Sequence, residues 1–151
     1  MATNESANTS YNRILVTVDG TDEQDKVLAR SIAIAAKESA ELYIGHVIDI
    51  SSLDSTETHP PEMEATLEKS FRDSIACYVA QAEADPNIPK VEVIVRSGRI
   101  RETLQDDMID VIHPNLVICG ARGLSSIKYA VLGSISTFLV RNTECDTLVI
   151  K

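Results

Sequence analysis

The sequence predicts an α/β protein built on a doubly wound parallel sheet with helices on both faces. Three observations carry that expectation. Short apolar, β-branched runs alternate with longer stretches of helical periodicity from Arg13 to Ile150. Two of the runs, Arg13–Val18 and Leu116–Cys119, are compact and read as buried strands. The second run leads through Gly120-Ala-Arg-Gly123 to Gly133-Ser134-Ile135-Ser136-Thr137, which reads as a strand, a glycine-punctuated loop and the start of a helix.

Length and charge bound what such a chain does. At 151 residues and 44% hydrophobic it suits one domain with a real core. A formal net charge of −9 argues against nucleic acid and against an anionic membrane surface as general partners. The acidity is uneven: residues 1–60 hold ten acids against four bases, whereas residues 97–151 hold six of each. The part with the glycine loop is therefore locally neutral. Cys77, Cys119 and Cys145 are scattered without a CxxC pair, so neither a disulfide framework nor a zinc site is expected. Cys77 and Cys119 sit in apolar surroundings and read as core, Cys145 as exposed. Neither a leader nor an apolar run of membrane-spanning length is seen, so the expected compartment is a reduced cytoplasm.

Taken in order, residues 1–12 are polar and read as a loose tail before a single domain over 13–151. Strand one closes at the turn Asp19-Gly20-Thr21, with Thr21 or Asp22 as the cap of the first helix. Val27, Leu28, Ile32, Ala35 and Ala36 give that helix one apolar face. Leu42–Ile48 is the second strand, completing a βαβ unit. Residues 49–61, rich in Ser and Thr with two prolines, form a surface loop. Helix two, from Glu62, carries Leu67, Phe71, Ile75, Tyr78 and Ala82 inward and is stopped by Asp85-Pro-Asn-Ile-Pro89. In the third strand Val91, Val93 and Val95 alternate with Glu92, Ile94 and Arg96, so one buried face near a sheet edge is expected. The third helix carries Ile100, Leu104, Met108, Val111 and Ile112 on one side and ends at His113-Pro114. After strand four and the glycine loop come a helix to about Arg141 and a last strand, 147–150.

The glycine loop has chemical meaning. The first turn of a helix leaves backbone N–H groups without helical partners, and the aligned peptide dipoles add partial positive charge there. Such an end is suited to phosphate. Gly120, Gly123 and Gly133 have no Cβ to keep an anion from the backbone. Ser134 suits an N-cap, and its hydroxyl and that of Ser136 have the chemistry to meet a phosphate oxygen. The alternative reading is ordinary turn punctuation and capping.

Gly, two residues, Gly, nine residues, then Gly-Ser between a strand and a helix resembles the ATP-binding branch of the universal stress protein family (UspA-like). The resemblance covers nearly everything after residue 12, and a second motif lies at Asp19. It implies a five-stranded parallel sheet of order 3-2-1-4-5, Rossmann-like and similar to the adenine nucleotide alpha hydrolases. In that order the winding reverses between strands one and four, where a ligand sits beyond the carboxyl ends. Asp19 and Gly120 then converge on one crevice.

Residue by residue, the resemblance implies that Asp19 lies near ribose and phosphates, orienting a hydroxyl or holding a magnesium-bound water. The alternative is a plain turn former. Thr17 stands where the family usually has proline. The backbone of Val47 would read the adenine edge, unless it is only a core valine. Cys119 and Gly120 close strand four beside the ligand, and Gly123, Gly133 and Ser134 would surround the phosphates. Arg122 is the loop cation nearer to phosphate, Lys128 the one facing solvent. Ile135 would present backbone while its side chain packs inward.

Absent motifs narrow the chemistry. There is no GxxxxGK[ST], no GxGxxG after strand one, and no HIGH-like or SGGxDS-like motif. His46, His59 and His113 are dispersed and are not expected to be catalytic. Without a positioned base or arginine finger, phosphates would be bound more than cleaved. The expectation is an adenine-nucleotide binder, ATP with Mg2+, acting as a dimeric stress-response sensor or adaptor. Its homodimer would form by antiparallel pairing of strand 147–150, an apolar edge. The rivals are a weak ATPase or other hydrolase in the same crevice, and a nucleotide-independent interaction dimer with a vestigial loop.

Overall fold

The computed structural model of the protein describes residues 10–50, 61–121 and 132–151. The strands are β1 (Arg13–Thr17), β2 (Glu41–Asp49), β3 (Val91–Gly98), β4 (Leu116–Gly120) and β5 (Asp146–Ile150). All neighbouring pairs are parallel, in the order β3-β2-β1-β4-β5. Helices α1 (Gln24–Glu38) and α2 (Pro61–Ala84) pack on one face. Helix α3 (residues 100–112) and α4 (Ser134–Asn142) pack on the other. The sequence-derived fold class and strand order hold.

The two cores show why the strands are so apolar. Along β1, Ile14 and Val16 point into the α1/α2 core with Leu28, Ile32, Phe71 and Ile75. Leu15 points into the α3/α4 core with Met108, Val117 and Leu139. A strand covered on both sides needs apolar residues at every position, not every second one. The same principle corrects the reading of β3: Ile94, expected on an outer face, is buried in the α3/α4 core.

Helix α3 departs from its expected phase. It is α-helical over Ile100–Thr103, π-helical over Leu104–Ile109, and α-helical again over Asp110–Ile112. The wider π turn shifts the inward stripe to Leu104, Met108, Ile109 and Ile112. Val111, expected inward, is 68% exposed. The helix lies close on β2, since a Cβ built on Gly45 would come within 2.7 Å of Met108 Sδ.

Other local expectations change too. Neither Thr21 nor Asp22 caps α1; Glu23 occupies that position without a side-chain cap bond, and Thr21 is bonded to Asp19 instead. Cys77 is exposed on α2 rather than in the core, and Cys145 is half-buried rather than exposed. Tyr11 and Asn12, assigned by sequence to the tail, are tied to the domain by Tyr11 Oη donating to Asp146 (2.7 Å) and Asn12 N to Asn115 (3.1 Å).

Register places the site. β1 pairs with β2 only as far as Thr17↔Gly45 and with β4 as far as Val16↔Ile118. β2 continues against β3 to Asp49↔Gly98, and β4 against β5 to Gly120↔Ile150. The central strand stops while its neighbours go on. The sheet therefore has a notch at its carboxyl edge, at the winding reversal.

Candidate functional site

A cavity of about 530 Å³ lies over the notch, within the ~300–1,000 Å³ of small-molecule pockets. Thr17, Asp19, Val47, Cys119 and Gly120 line it, as do Gly133, Ser134, Ile135 and Ser136. Residues far apart in sequence thus share one crevice. Arg122, Gly123 and Lys128 lie outside the described residues.

On the β1 side, Asp19 Oδ1 accepts from Thr21 N (3.0 Å) and Thr21 Oγ1 (2.6 Å), which closes the turn. Gly20 follows with φ +80°, the left-handed geometry that favours glycine. The turn role of Asp19 is real, and it still leaves an exposed carboxylate on the cavity wall.

The β4 side is stapled at Ala121. Its N–H donates to Ile150 O (2.8 Å) and its carbonyl accepts from Gly133 N (2.6 Å). The Gly133 amide is therefore engaged, contrary to the expectation of a free donor at the helix mouth. The first helical bond of α4 runs from Thr137 N to Gly133 O (3.0 Å). That leaves the N–H groups of Ser134, Ile135 and Ser136 without partners among the described residues. No acid occupies this first turn. Three such amides at the positive end of the helix dipole have the chemistry to receive an anion.

Two serine roles are corrected. Gly133, not Ser134, occupies the N-cap position, and no side chain caps the helix. Ser136 Oγ donates back to Gly133 O (2.9 Å) and is 2% exposed, so its proton is not offered to a phosphate.

The β2 side contributes backbone. Leu42 N and Ile50 N donate toward β3, to Lys90 O and Gly98 O, while Gly45 O accepts from Val18 N on the β1 side. Backbone groups alternate along a strand, so Val47 N–H and C=O turn toward β1. β1 has ended there. Val47 thus offers a donor and an acceptor side by side at the notch, with no partner among the described residues.

Titratable groups here are subdued. Burial pushes the Cys119 thiol up to about 11, which keeps it protonated and unreactive. His46 is lowered mainly by burial, against the opposing pull of its bond to Val18 O and of the Asp19 charge. Among the described residues no group of His, Cys, Asp and Glu side chains is placed to hold a metal ion. None of the described helices is long and apolar enough to cross a membrane.

Gln24 and His46 are among the lining residues that the sequence did not assign to the site. Gln24, in the first turn of α1, is 6% exposed; its Nε2 donates to Ser74 Oγ (3.2 Å), and its Oε1 has no partner among the described residues. A glutamine opening an amphipathic helix gives no signal of this. His46, a polar residue inside an apolar strand, did give one.

The model of one known family, the universal stress protein family, matches residues 10–151. The chain belongs to the universal stress protein family. Membership assigns it to stress response. A protein of Staphylococcus saprophyticus carried under the name universal stress protein is 25% identical over 142 residues, 94% of this chain and 84% of that one. Universal stress protein UspA from Lactobacillus plantarum is 22% identical with a TM-score of 0.74, covering 95% of this chain and 100% of that one. A universal stress protein solved in complex with cAMP is 24% identical with a TM-score of 0.62, covering 95% of this chain and 98% of that one. The two solved structures share the fold.

Proposed function

We propose that this universal stress protein binds an adenine nucleotide, ATP with Mg2+, in the notch crevice and acts as a homodimeric stress-response sensor or adaptor. The observation that carries this reading is the trio of amides at Ser134, Ile135 and Ser136, without partners among the described residues, on residues that line the same cavity as Asp19 and Val47. Phosphates suit the amides, and a purine edge with one donor and one acceptor suits Val47. Asp19 has the charge to orient a ribose hydroxyl or a magnesium-bound water.

The crevice favours holding over cleaving. Cys119 is protonated at neutral pH, and the His46 ring is committed to the Val18 carbonyl at 2.8 Å. The thiol is therefore no nucleophile, and the His46 ring keeps only Nε2 as a basic site, its basicity lowered by burial. Dimerisation would use β5, an edge strand with Leu148 and Val149 half-buried in the single chain. Titration calorimetry with MgATP is expected to show saturable heat. No heat and no thermal shift at millimolar nucleotide would reject the reading.

A further inference from the structure

The β1–β2 ladder ends one bond early. Val18 N donates to Gly45 O at 3.0 Å. In a parallel ladder the next bond runs from Val47 N–H to Val18 O. It is not made, and pairing closes at Thr17↔Gly45. The Val18 carbonyl instead meets His46 Nδ1 at 2.8 Å. A carbonyl only accepts, so Nδ1 carries the proton. The ring is held on the α2 face of the sheet by stacking on Phe71, with centroids 4.1 Å apart and planes 11° from parallel.

We infer that His46 is a positioning residue: its ring N–H takes the Val18 carbonyl, halts strand pairing there, and leaves the Val47 backbone N–H open to the ligand. The ring joins the residue before Asp19 to the residue before Val47. One hydrogen bond thereby fixes the separation of two groups that line the crevice from different strands. The argument takes its ligand from the nucleotide reading above, but the freed amide is a property of the unliganded protein. A buried, unpaired carbonyl is costly, so removing the imidazole gives Val18 O reason to recruit Val47 N–H.

Amide exchange followed by NMR tests this without any ligand. In the wild type the Val47 amide is expected to exchange at least about tenfold faster than an amide bonded within a central strand. In His46→Leu it becomes protected. In His46→Asn, whose side-chain amide supplies a donor near the position of Nδ1, it stays fast. MgATP affinity should fall about tenfold in His46→Leu, the upper range for one neutral hydrogen bond, and recover to within about threefold in His46→Asn. A merely structural role would weaken both variants in step with their melting temperatures. A wild-type Val47 amide as protected as that of Gly45, or variants that shift alike, overturns the inference. If the wild type binds no nucleotide, the functional reading fails, while the exchange result still decides the role of His46.

Discussion

Helices α1 and α4 both begin at the crevice, from adjacent strands, yet they are prepared for opposite charges. α1 opens with Asp22, Glu23 and Asp25 about its first turn, and Gln24 N is already bonded to Thr21 O at 3.0 Å. α4 opens with Gly133, Ser134, Ile135 and Ser136, carries no acid, and keeps three amides unpartnered among the described residues. Carboxylates at a helix N-terminus occupy the dipole that an anionic ligand would use. Two similar strand-to-helix junctions thus differ in kind: one presents a carboxylate face beside Asp19, the other a set of open amides suited to the phosphate of the proposed ligand. The lesson is that a helix start becomes an anion site through what is withheld from it.

The comparison can be broken most severely at Gly133. Its φ of −70° and ψ of 170° suit any residue, so Gly133→Val should fold. The branched side chain stands where phosphate must approach, and calorimetry should detect no MgATP binding. Binding unchanged from the wild type would mean that the anion lies elsewhere. Next in size is Ser134→Asp, which gives α4 the character of α1. A carboxylate about 4 Å from a phosphate at a protein surface is worth roughly 4 kcal/mol, so affinity should drop on the order of 1,000-fold, less so at high salt.

A subtler change is Ser134→Pro. Proline is accepted at the first helical position, so thermal stability should hold, but one charge-assisted donor is lost. That corresponds to ~1.5–3 kcal/mol, or about a 10- to 100-fold weaker Kd. Ser134→Ala keeps the amide and should leave thermal stability unchanged, because the hydroxyl makes no cap bond, while loss of a hydroxyl contact to phosphate should weaken MgATP binding by no more than about tenfold. The smallest effect belongs to α1. Neutralising its acids in Glu23→Gln/Asp25→Asn should raise MgATP affinity by less than about threefold, as screened charges at exposed positions do. A much larger gain, or a second bound nucleotide, would show that α1 is an anion site masked by its own carboxylates.

Much of the fold was legible because burial writes itself into strands. β1 and β4 are apolar at consecutive positions, which marked them as buried strands, while their place in mid-sheet came from the family resemblance. The site was legible in outline, since glycines around a helix start mark an approachable backbone. Its finer points depend on bonds between distant elements. That Gly133 N is spent on Ala121 O follows from how β4 and α4 meet, and nothing in Gly-Ser reports it. The π turn in α3 was illegible for a related reason: Val111 and Ile109 are both good inward residues, and only packing against β2 selects one. Gln24 and Cys77 mislead in opposite directions, a polar residue buried and an apolar-looking one exposed.

The staple at Ala121 has one more consequence. Its carbonyl holds Gly133 N at 2.6 Å, and its own amide is anchored to the last strand at Ile150 O. Ala121 and Gly133 are therefore held to each other and to the last strand by main-chain bonds. The start of α4 is thereby tied to β5, so anything that shifts the last strand, such as pairing with a second chain, reaches the amide trio through two main-chain hydrogen bonds.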